Sequence, residues 1–496
     1  MRRFRPRPLV AAIVALASAG TARGAGPVGG PLPCLSAADT CPLPTPRPAA
    51  NGIAPLAVAG AADEEPPRGL ATAACASSSC HGGPRGGNHA VHSFAATTWV
   101  GDDPHAGAYE TLFEARSVRM ARLLGIGPPH TERECLVCHS VQDAAPDPLP
   151  RAVLADGVGC AACHGDARGW LEVHTLADWR TRSAADKAAT GFHDLSGPLE
   201  RARICARCHV GDADHDMHHD HVAAGHPRLL FELGQLQRRW PRHWDPRGTV
   251  EANEDFQARS WAVGQAAALE AAATLLAARA ERAASALHSG RPARWPEYSE
   301  FDCQACHRTL ATAAALVGAD DRPRTLPPGT PGWQPWLVTG SGLLATAVTE
   351  PGEAPSARVA TRVAALRHLL ARDWSASDPE RIEHIAAEAR AIAGDAGVVA
   401  AALAAAPTIR VVARGAAVDR VAAGDPRLWQ GWDAAVQTTL ALEADRRGGP
   451  APLGVRAAEA AGALDTLREG LRYPVGWDAP VGFDGERFRR LRDAVP

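Results

Sequence analysis

The stretch "GVGCAACHGDARGWLEVH", residues 157–174, decides what kind of fold this chain can build. Its two cysteines, Cys160 and Cys163, are separated by two residues, and His164 follows the second directly. On a helical turn, positions i, i+3 and i+4 lie on one face. Two thiols placed in this way can bond to the vinyl groups on one edge of a haem while the histidine reaches the iron. This is the attachment pattern of c-type haem.

The same pattern occurs at four places in the chain. They are "CLVCH" (Cys135, Cys138, His139), "CAACH" (Cys160, Cys163, His164), "CARCH" (Cys205, Cys208, His209) and "CQACH" (Cys303, Cys306, His307). Zinc knuckles and disulfide scaffolds also use paired cysteines, but neither needs a histidine after the second one. Histidine makes up 20 of 496 residues, so four chance occurrences have a probability on the order of 10⁻⁶ given such pairs. The sequence therefore predicts covalent haem at all four places.

A longer variant of the pattern precedes these four. In "CASSSCHGG", residues 75–83, four residues separate Cys75 from Cys80, and His81 follows. This spacing does not fit one helical face, so the segment must bulge, and its small residues permit that. Haem attachment is the favoured interpretation and a disulfide is the alternative. We number the motifs one to five along the chain and expect five covalently bound haem c groups, which would form much of the core.

The sixth ligands of the irons are predicted to be histidines. After a signal sequence, the chain holds only two methionines, whereas fifteen histidines lie outside the motifs. Bis-histidine ligation and low reduction potentials follow from this composition. The candidates are His105, His174, His219 and His226, with His89, His92 and His193 as further options. His174 lies too close in sequence to His164 to reach the far face of the same haem, so we expect it to serve a neighbour. The short distance in sequence between His139 and His164 favours a tightly coupled haem pair.

The N-terminal 70 residues indicate export. Residues 1–25 combine arginines, a short apolar run and small residues, as a signal peptide does, with an uncleaved membrane anchor as the alternative. Residues 26–70 form a proline-rich linker in which Cys34 and Cys41 are expected to close a disulfide loop. A periplasmic location with a cleaved signal is therefore predicted. Without the signal, 47 basic residues face 55 acidic ones, a net charge of −8, which gives no footprint for nucleic acid.

The predicted architecture is mostly α, with a pentahaem domain over residues 71–320 and a helical domain over residues 321–496. Residues 250–290 read as a long alanine-rich helix ended by Gly290 and Pro292. The proline- and glycine-rich segment 326–336 reads as the linker into the second domain.

Two helices are predicted in the C-terminal domain. One places apolar residues on a single face: Val359, Val363, Leu366, Leu370 and Trp374. Asp378 and Pro379 open the next helix, and Gly394 is expected to close it. Helices of this kind either cover the haem domain or present a docking surface for a partner.

The sequence resembles the cytochrome c-554 family of multihaem periplasmic cytochromes over residues 71–310. The resemblance lies in "WVGDDPHAGAYETL" followed by "CLVCH", in "GVGCAACHGDARGWLEVH" and in "CARCHVG". The segments "AAGHPRLLFEL" and "WPEYSEFDCQACH" look similar to parts of related multihaem proteins. The resemblance implies a mostly helical fold with stacked haem pairs and a role as an electron carrier.

The favoured function is therefore a periplasmic pentahaem cytochrome that carries electrons between redox partner proteins. The alternative is a multihaem oxidoreductase that acts on a small nitrogen or sulfur compound at one five-coordinate haem. Pentahaem nitrite reductases use a Cys-x-x-Cys-Lys site, and the one lysine here, Lys187, follows no cysteine. Peripheral membrane association and homo-oligomer formation are both compatible with the sequence.

Overall fold

The structure is a computed structural model, and the residues it describes are 72–86, 90–140, 149, 151–246, 249–303, 332–344, 355–373, 378–406, 431–447, 462, 465–469 and 471. Cys34, Cys41, His89, Cys306, His307 and Trp374 lie outside these ranges. Across the described part the fold is mostly helical, which confirms the predicted class. The described residues form no β-strand, and Phe301 and Trp333 make one isolated bridge.

The α-helices of the described ranges are numbered in chain order. They are α1 Ala95–Asp102, α2 Ala115–Leu124, α3 Arg133–His139, α4 Arg151–Leu154, α5 Cys160–His164, α6 Ala184–Ala188, α7 Pro198–His209, α8 His219–Ala224, α9 Leu233–Arg239, α10 Phe256–His288, α11 Pro335–Leu344, α12 Pro355–Asp373, α13 Pro379–Ala405 and α14 Trp432–Arg447.

Short 3-10 helices connect many of these elements. They are Thr72–Ala74, Val91–Phe94, Pro104–Gly107, Glu110–Phe113, Pro129–Thr131, Ala167–Gly169, Val173–Thr175, Trp179–Thr181, Val250–Ala252 and Tyr298–Glu300. The part of the chain that carries the first four motifs is thus built from short helical pieces, whereas the longest helices follow it.

Helix α10 is the centre of the largest apolar core. It contacts α7, α9, α11, α13 and α14, and its many alanines let these neighbours approach closely. The helix is long and apolar enough to cross a membrane, but 78% of its apolar window is buried inside the protein. At its end the backbone N–H of Arg291 donates to the carbonyl of Ala286, and Gly290 adopts the left-handed conformation with φ of 66°. Both the helix and its predicted stop are confirmed.

The C-terminal helices share this core with the helices that precede residue 320. Val359, Val363, Leu366 and Leu370 are buried on α12, as predicted from their spacing. Helix α13 packs along α10, and the side chain of Arg259 donates to the carbonyl of Ala406 at 2.8 Å. A single apolar cluster therefore spans the predicted boundary at residues 320–321, which favours the covering role for these helices.

The predicted end of a helix at Gly394 is wrong. Asp378 caps α13 through the N–H of Glu380 at 3.1 Å, but the helix continues through Gly394 to Ala405. A glycine inside a helix costs about 1 kcal/mol. Beyond it, Val399 and Leu403 are buried in the core, and each such side chain contributes roughly 1.5–3 kcal/mol. Tertiary burial outweighs the local preference.

The predicted linker 326–336 also differs from the structure at its end. Trp333 and Trp336 are both buried in the main core, and the indole of Trp336 donates to the carbonyl of Phe231 at 2.8 Å. Trp336 further stacks on Trp432 of α14. The two tryptophans anchor α11 to the core, so at least residues 332–336 belong to the packed structure.

Candidate haem-binding sites

Motifs two, three and four each occupy the last turn of a helix. Helix α3 ends at His139, α5 at His164 and α7 at His209. In each of them the two cysteines and the histidine therefore share one helical face, as the spacing predicts. Gly165 follows α5 with φ of 82°, and a side chain there would collide with the carbonyl of Gly191.

Motif one forms a non-helical turn. The carbonyl of Ser77 accepts hydrogen bonds from the N–H groups of Cys80 and Gly82, both at 2.9 Å, and this closes the two extra residues into a loop. A side chain at Gly82 would collide with the carbonyl of Ala76. The structure has Cys75 and Cys80 as free thiols, like the other cysteines of the described motifs. For motif five the structure describes Cys303 only.

The histidines of the first four motifs each face a second histidine. The ring centroids lie 6.3 Å apart for His81 and His174, 6.3 Å for His139 and His226, 6.4 Å for His164 and His243, and 6.2 Å for His209 and His105. One pair is nearly parallel and the other three are edge-to-face. Two imidazoles that share one metal through nitrogen bonds of about 2 Å have centroids roughly 6.3 Å apart. The residues present therefore fit an iron between each pair.

Many of the paired rings have their Nδ1 atoms occupied. Nδ1 of His81 lies 2.6 Å from the carbonyl of His92, Nδ1 of His139 lies 2.9 Å from that of Ala108, and Nδ1 of His226 lies 2.7 Å from that of Pro227. His174 bonds in the same way to the carbonyl of Leu171, and His105 bonds to a carboxylate of Asp103 at 2.8 Å. A ring that donates through Nδ1 keeps Nε2 unprotonated, and such a bond fixes the orientation of metal-binding histidines.

The buried rings are held in the neutral form. Burial lowers the pKa of His164, His209 and His226 to about 4. It also lowers the pKa of His139 and His243. Neutral imidazole is the form that ligates a metal, because the proton and the metal compete for the same lone pair.

His81 has a second histidine nearby, but that residue fits less well. The rings of His81 and His92 lie 6.4 Å apart. Nδ1 of His81 points to the backbone of His92, so its Nε2 points away from that residue. The Nε2 atom of His92 lies 3.3 Å from the guanidinium of Arg180. Burial lowers the pKa of His92, and the charge of Arg180 lowers it further. His174 is therefore the better partner for His81.

Thiols from different motifs touch each other. Cys75 hydrogen-bonds to Cys160, and this bond lowers the pKa of Cys75 to about 7. Cys208 hydrogen-bonds to Cys138 in the same way and also has its pKa lowered to about 7. Burial raises the pKa of Cys205, and the nearby Cys163 raises it further. Motif one thus lies next to motif three, motif two next to motif four, and motif three near motif four.

Three of the four main candidates for a sixth ligand lie opposite a motif histidine, and the fourth lies next to a tyrosine. The structure brings His105, His174 and His226 opposite motif histidines, whereas the ring of His219 lies 5.8 Å from Tyr298. His193 bonds through Nδ1 to the carbonyl of Cys163 at 3.2 Å, beside His164 rather than opposite it.

Sequence reasoning missed His243. It lies in the segment "PRHW" after α9, next to Trp240 and Trp244. No motif spacing points to His243. The sequence offers one signal, because the segment lies within residues 71–310, over which the chain resembles the cytochrome c-554 family.

A second cluster has the spacing of a metal site but the wrong surroundings. The ligand atoms of Glu134, His218 and His221 lie within 4.8 Å of one another. However, the Nδ1 atom of His218 lies 2.8 Å from the guanidinium of Arg294, and the backbone N–H of His218 donates to Nδ1 of His221. Ligating rings need acceptors at these positions, and the arginine charge opposes a cation. The cluster therefore does not fit a metal ion.

The helical fold, the haem-attachment motifs and the opposed histidines are the features typical of c-type cytochromes. The family model described as "Cytochrome c554 and c-prime" matches residues 74–165, which include motifs one to three. This match confirms the resemblance to the cytochrome c-554 family over residues 74–165, and it suggests an electron-transfer haem protein. Neither the comparison with curated proteins nor that with solved structures gives a match.

Proposed function

We propose that the protein is an exported pentahaem c-type cytochrome that carries electrons between redox partner proteins in the periplasm. The observation that carries the proposal is the set of four histidine pairs at the separation of a shared metal. When bound, each haem supplies a one-electron couple. An iron with two histidine ligands has no open position for a substrate, so such a haem transfers electrons and binds nothing.

The residues that would hold the first four haems follow from the pairs. The cysteines of each motif would bind the porphyrin edge, and the irons would be ligated by His81 with His174, His139 with His226, His164 with His243 and His209 with His105. For the fifth haem, bound by Cys303, Cys306 and His307, we propose His219 as the sixth ligand. Its backbone N–H donates to Glu297 at 2.7 Å, which brings it to the segment that leads into Cys303.

The thiol contacts support an order of electron transfer. A thiol that binds haem does so at the porphyrin edge, so thiols that lie together would bring two porphyrin edges close to each other. When haem is bound, the contact of Cys75 with Cys160 would place the first haem near the third, and that of Cys138 with Cys208 would place the second near the fourth. With the third and fourth linked near Cys163 and Cys205, the proposed order is first, third, fourth, second.

The alternative of catalysis at a five-coordinate haem then concerns the fifth motif. Among the described residues, each of the first four motif histidines has a partner ring. No observation in the described ranges favours a substrate site.

Three measurements on the purified holoprotein test the proposal. The intact mass should equal the processed chain plus five haems, and N-terminal sequencing should show cleavage near residue 25. Electron paramagnetic resonance of the oxidised protein should show low-spin iron for at least four haems. Carbon monoxide added to the reduced protein should leave the spectra of these four unchanged. A count below four, or high-spin signals from several haems, would contradict the carrier function.

A further inference from the structure

The carboxylate of Asp103 is a buried acidic group that bonds directly to one of the paired histidines, His105. Its side chain is 2% exposed. It accepts from Nδ1 of His105 at 2.8 Å, from the backbone N–H of His105 at 3.0 Å and from the indole of Trp240 at 2.6 Å. Every hydrogen bond to its two oxygens comes from an N–H donor, which is the pattern that an ionised carboxylate accepts. The group is therefore an anion in the interior.

His105 differs in this respect from the other paired histidines whose Nδ1 partner is known. His81, His139, His174 and His226 bond to neutral backbone carbonyls. A carboxylate pulls the Nδ1 proton more strongly, makes the imidazole a stronger electron donor and adds a negative charge near the iron. Both effects stabilise the oxidised iron.

We propose that Asp103 is a positioning residue that lowers the reduction potential of the fourth haem through His105. The inference rests on the ligation proposed above, in which His105 and His209 hold that haem. Trp240 donates to the same carboxylate, so it weakens the hydrogen bond between Asp103 and His105. In the proposed order the fourth haem lies between the third and the second, and a lower potential there creates an uphill step inside the chain of haems.

Asp103 also acts on the third haem, but less directly. The indole of Trp240 donates to Asp103, and the ring of Trp240 lies 5.7 Å from that of His243. We therefore expect one large shift and one small shift in potential when the charge is removed.

Redox titration of the Asp103→Asn holoprotein tests the inference. At a fixed potential, the ratio of oxidised to reduced iron for one haem should fall about tenfold or more, equal to an upward shift of about 59 mV for a one-electron couple. The matched control is Asp102→Asn. Asp102 is the neighbouring aspartate, but it is 48% exposed and pairs with Arg85, so its loss should leave all potentials in place. Equal shifts in both variants, or none in Asp103→Asn, would overturn the inference.

A second variant keeps the charge and reverses the expected sign. Trp240→Phe removes one donor from Asp103 and leaves its carboxylate more fully on His105, so the same haem should titrate at a lower potential than in the parent. A purely structural role for Asp103 predicts no such opposite shift, and an unchanged or raised potential would overturn the inference even if Asp103→Asn fails to fold. The spin state separates this from the ligation itself. If His105→Ala leaves every haem low-spin, the proposed ligation fails, whatever the potentials show.

Discussion

Replacement of His243 by alanine is the most direct test of the ligand pairs, because no sequence motif suggested this residue. The ring of His243 lies 6.4 Å from that of His164, at an angle of 81°. Its removal leaves the third haem with one axial histidine. That haem is one of five predicted from the motifs, so about one fifth of the iron should change from low-spin to high-spin.

Spin integration of the electron paramagnetic resonance spectrum measures this fraction. Intact mass should show all five haems in place, because the thioether bonds do not involve His243. The matched control is His193→Ala. His193 also lies beside the third motif, but its Nδ1 bonds to the backbone of Cys163 and its N–H to that of His164. The control should stay fully low-spin. A low-spin His243→Ala protein with full haem content would refute the assignment of this pair.

Two further predictions concern the histidine pairs, and a third concerns the buried carboxyl group of Glu300. His174→Ala should convert the first haem to high spin, whereas His92→Ala should not, as judged by the same integration; the reverse result would assign His92 as the ligand. The rings of His81 and His174 are nearly parallel at 17°, while those of the other three pairs cross at 81–87°. Parallel rings separate the energies of the two iron dπ orbitals and crossed rings make them nearly equal, so resonance spectra should contain one ordinary rhombic signal and three signals with a large maximum g value; four rhombic signals would contradict the pairing. Burial raises the pKa of Glu300 from 4.5 to about 7, despite its ion pair with Arg279. The folded protein therefore binds a proton that the unfolded chain releases, and the free energy of unfolding should fall as the pH rises from about 4.5 to 7, by up to roughly 1.4 kcal/mol per pH unit. Denaturant titrations of Glu300→Gln should show a flatter dependence in this window, and an unchanged slope would exclude Glu300 as its source.

The haem-attachment segments could be predicted from the sequence because their chemistry is local. A thioether pair and its histidine lie within five or seven residues, and the helical turns of α3, α5 and α7 follow from that spacing. The proposed ligand His243 could not be predicted in this way. It reaches His164 through the tertiary fold, and sequence distance carries no information about that approach. The prediction of His105, His174 and His226 as ligands rested on their segments near the motifs, and the sequence did not name the motif histidine that each would face.

The sequence also does not predict which motifs lie next to each other in space. Motifs two and three are close in sequence, which favoured a coupled pair, yet the thiol contacts join motif one to three and motif two to four. Gly394 is a comparable case within one helix. Its local preference to end α13 loses to the apolar residues that follow it and pack on α10.

The contacts of Cys75 with Cys160 and of Cys138 with Cys208 also bear on how such a chain matures. If the polypeptide folded before haem was attached, each contact would hold two reactive thiols together, and one thiol of each pair has a pKa of about 7. A thiolate close to a second thiol is readily oxidised. In an oxidising compartment the empty chain would close two crosslinks between motifs, and each would block two attachment sites at once. Haem attachment before compaction would avoid these crosslinks, because a cysteine sulfur already bonded to a porphyrin has no thiol left to oxidise.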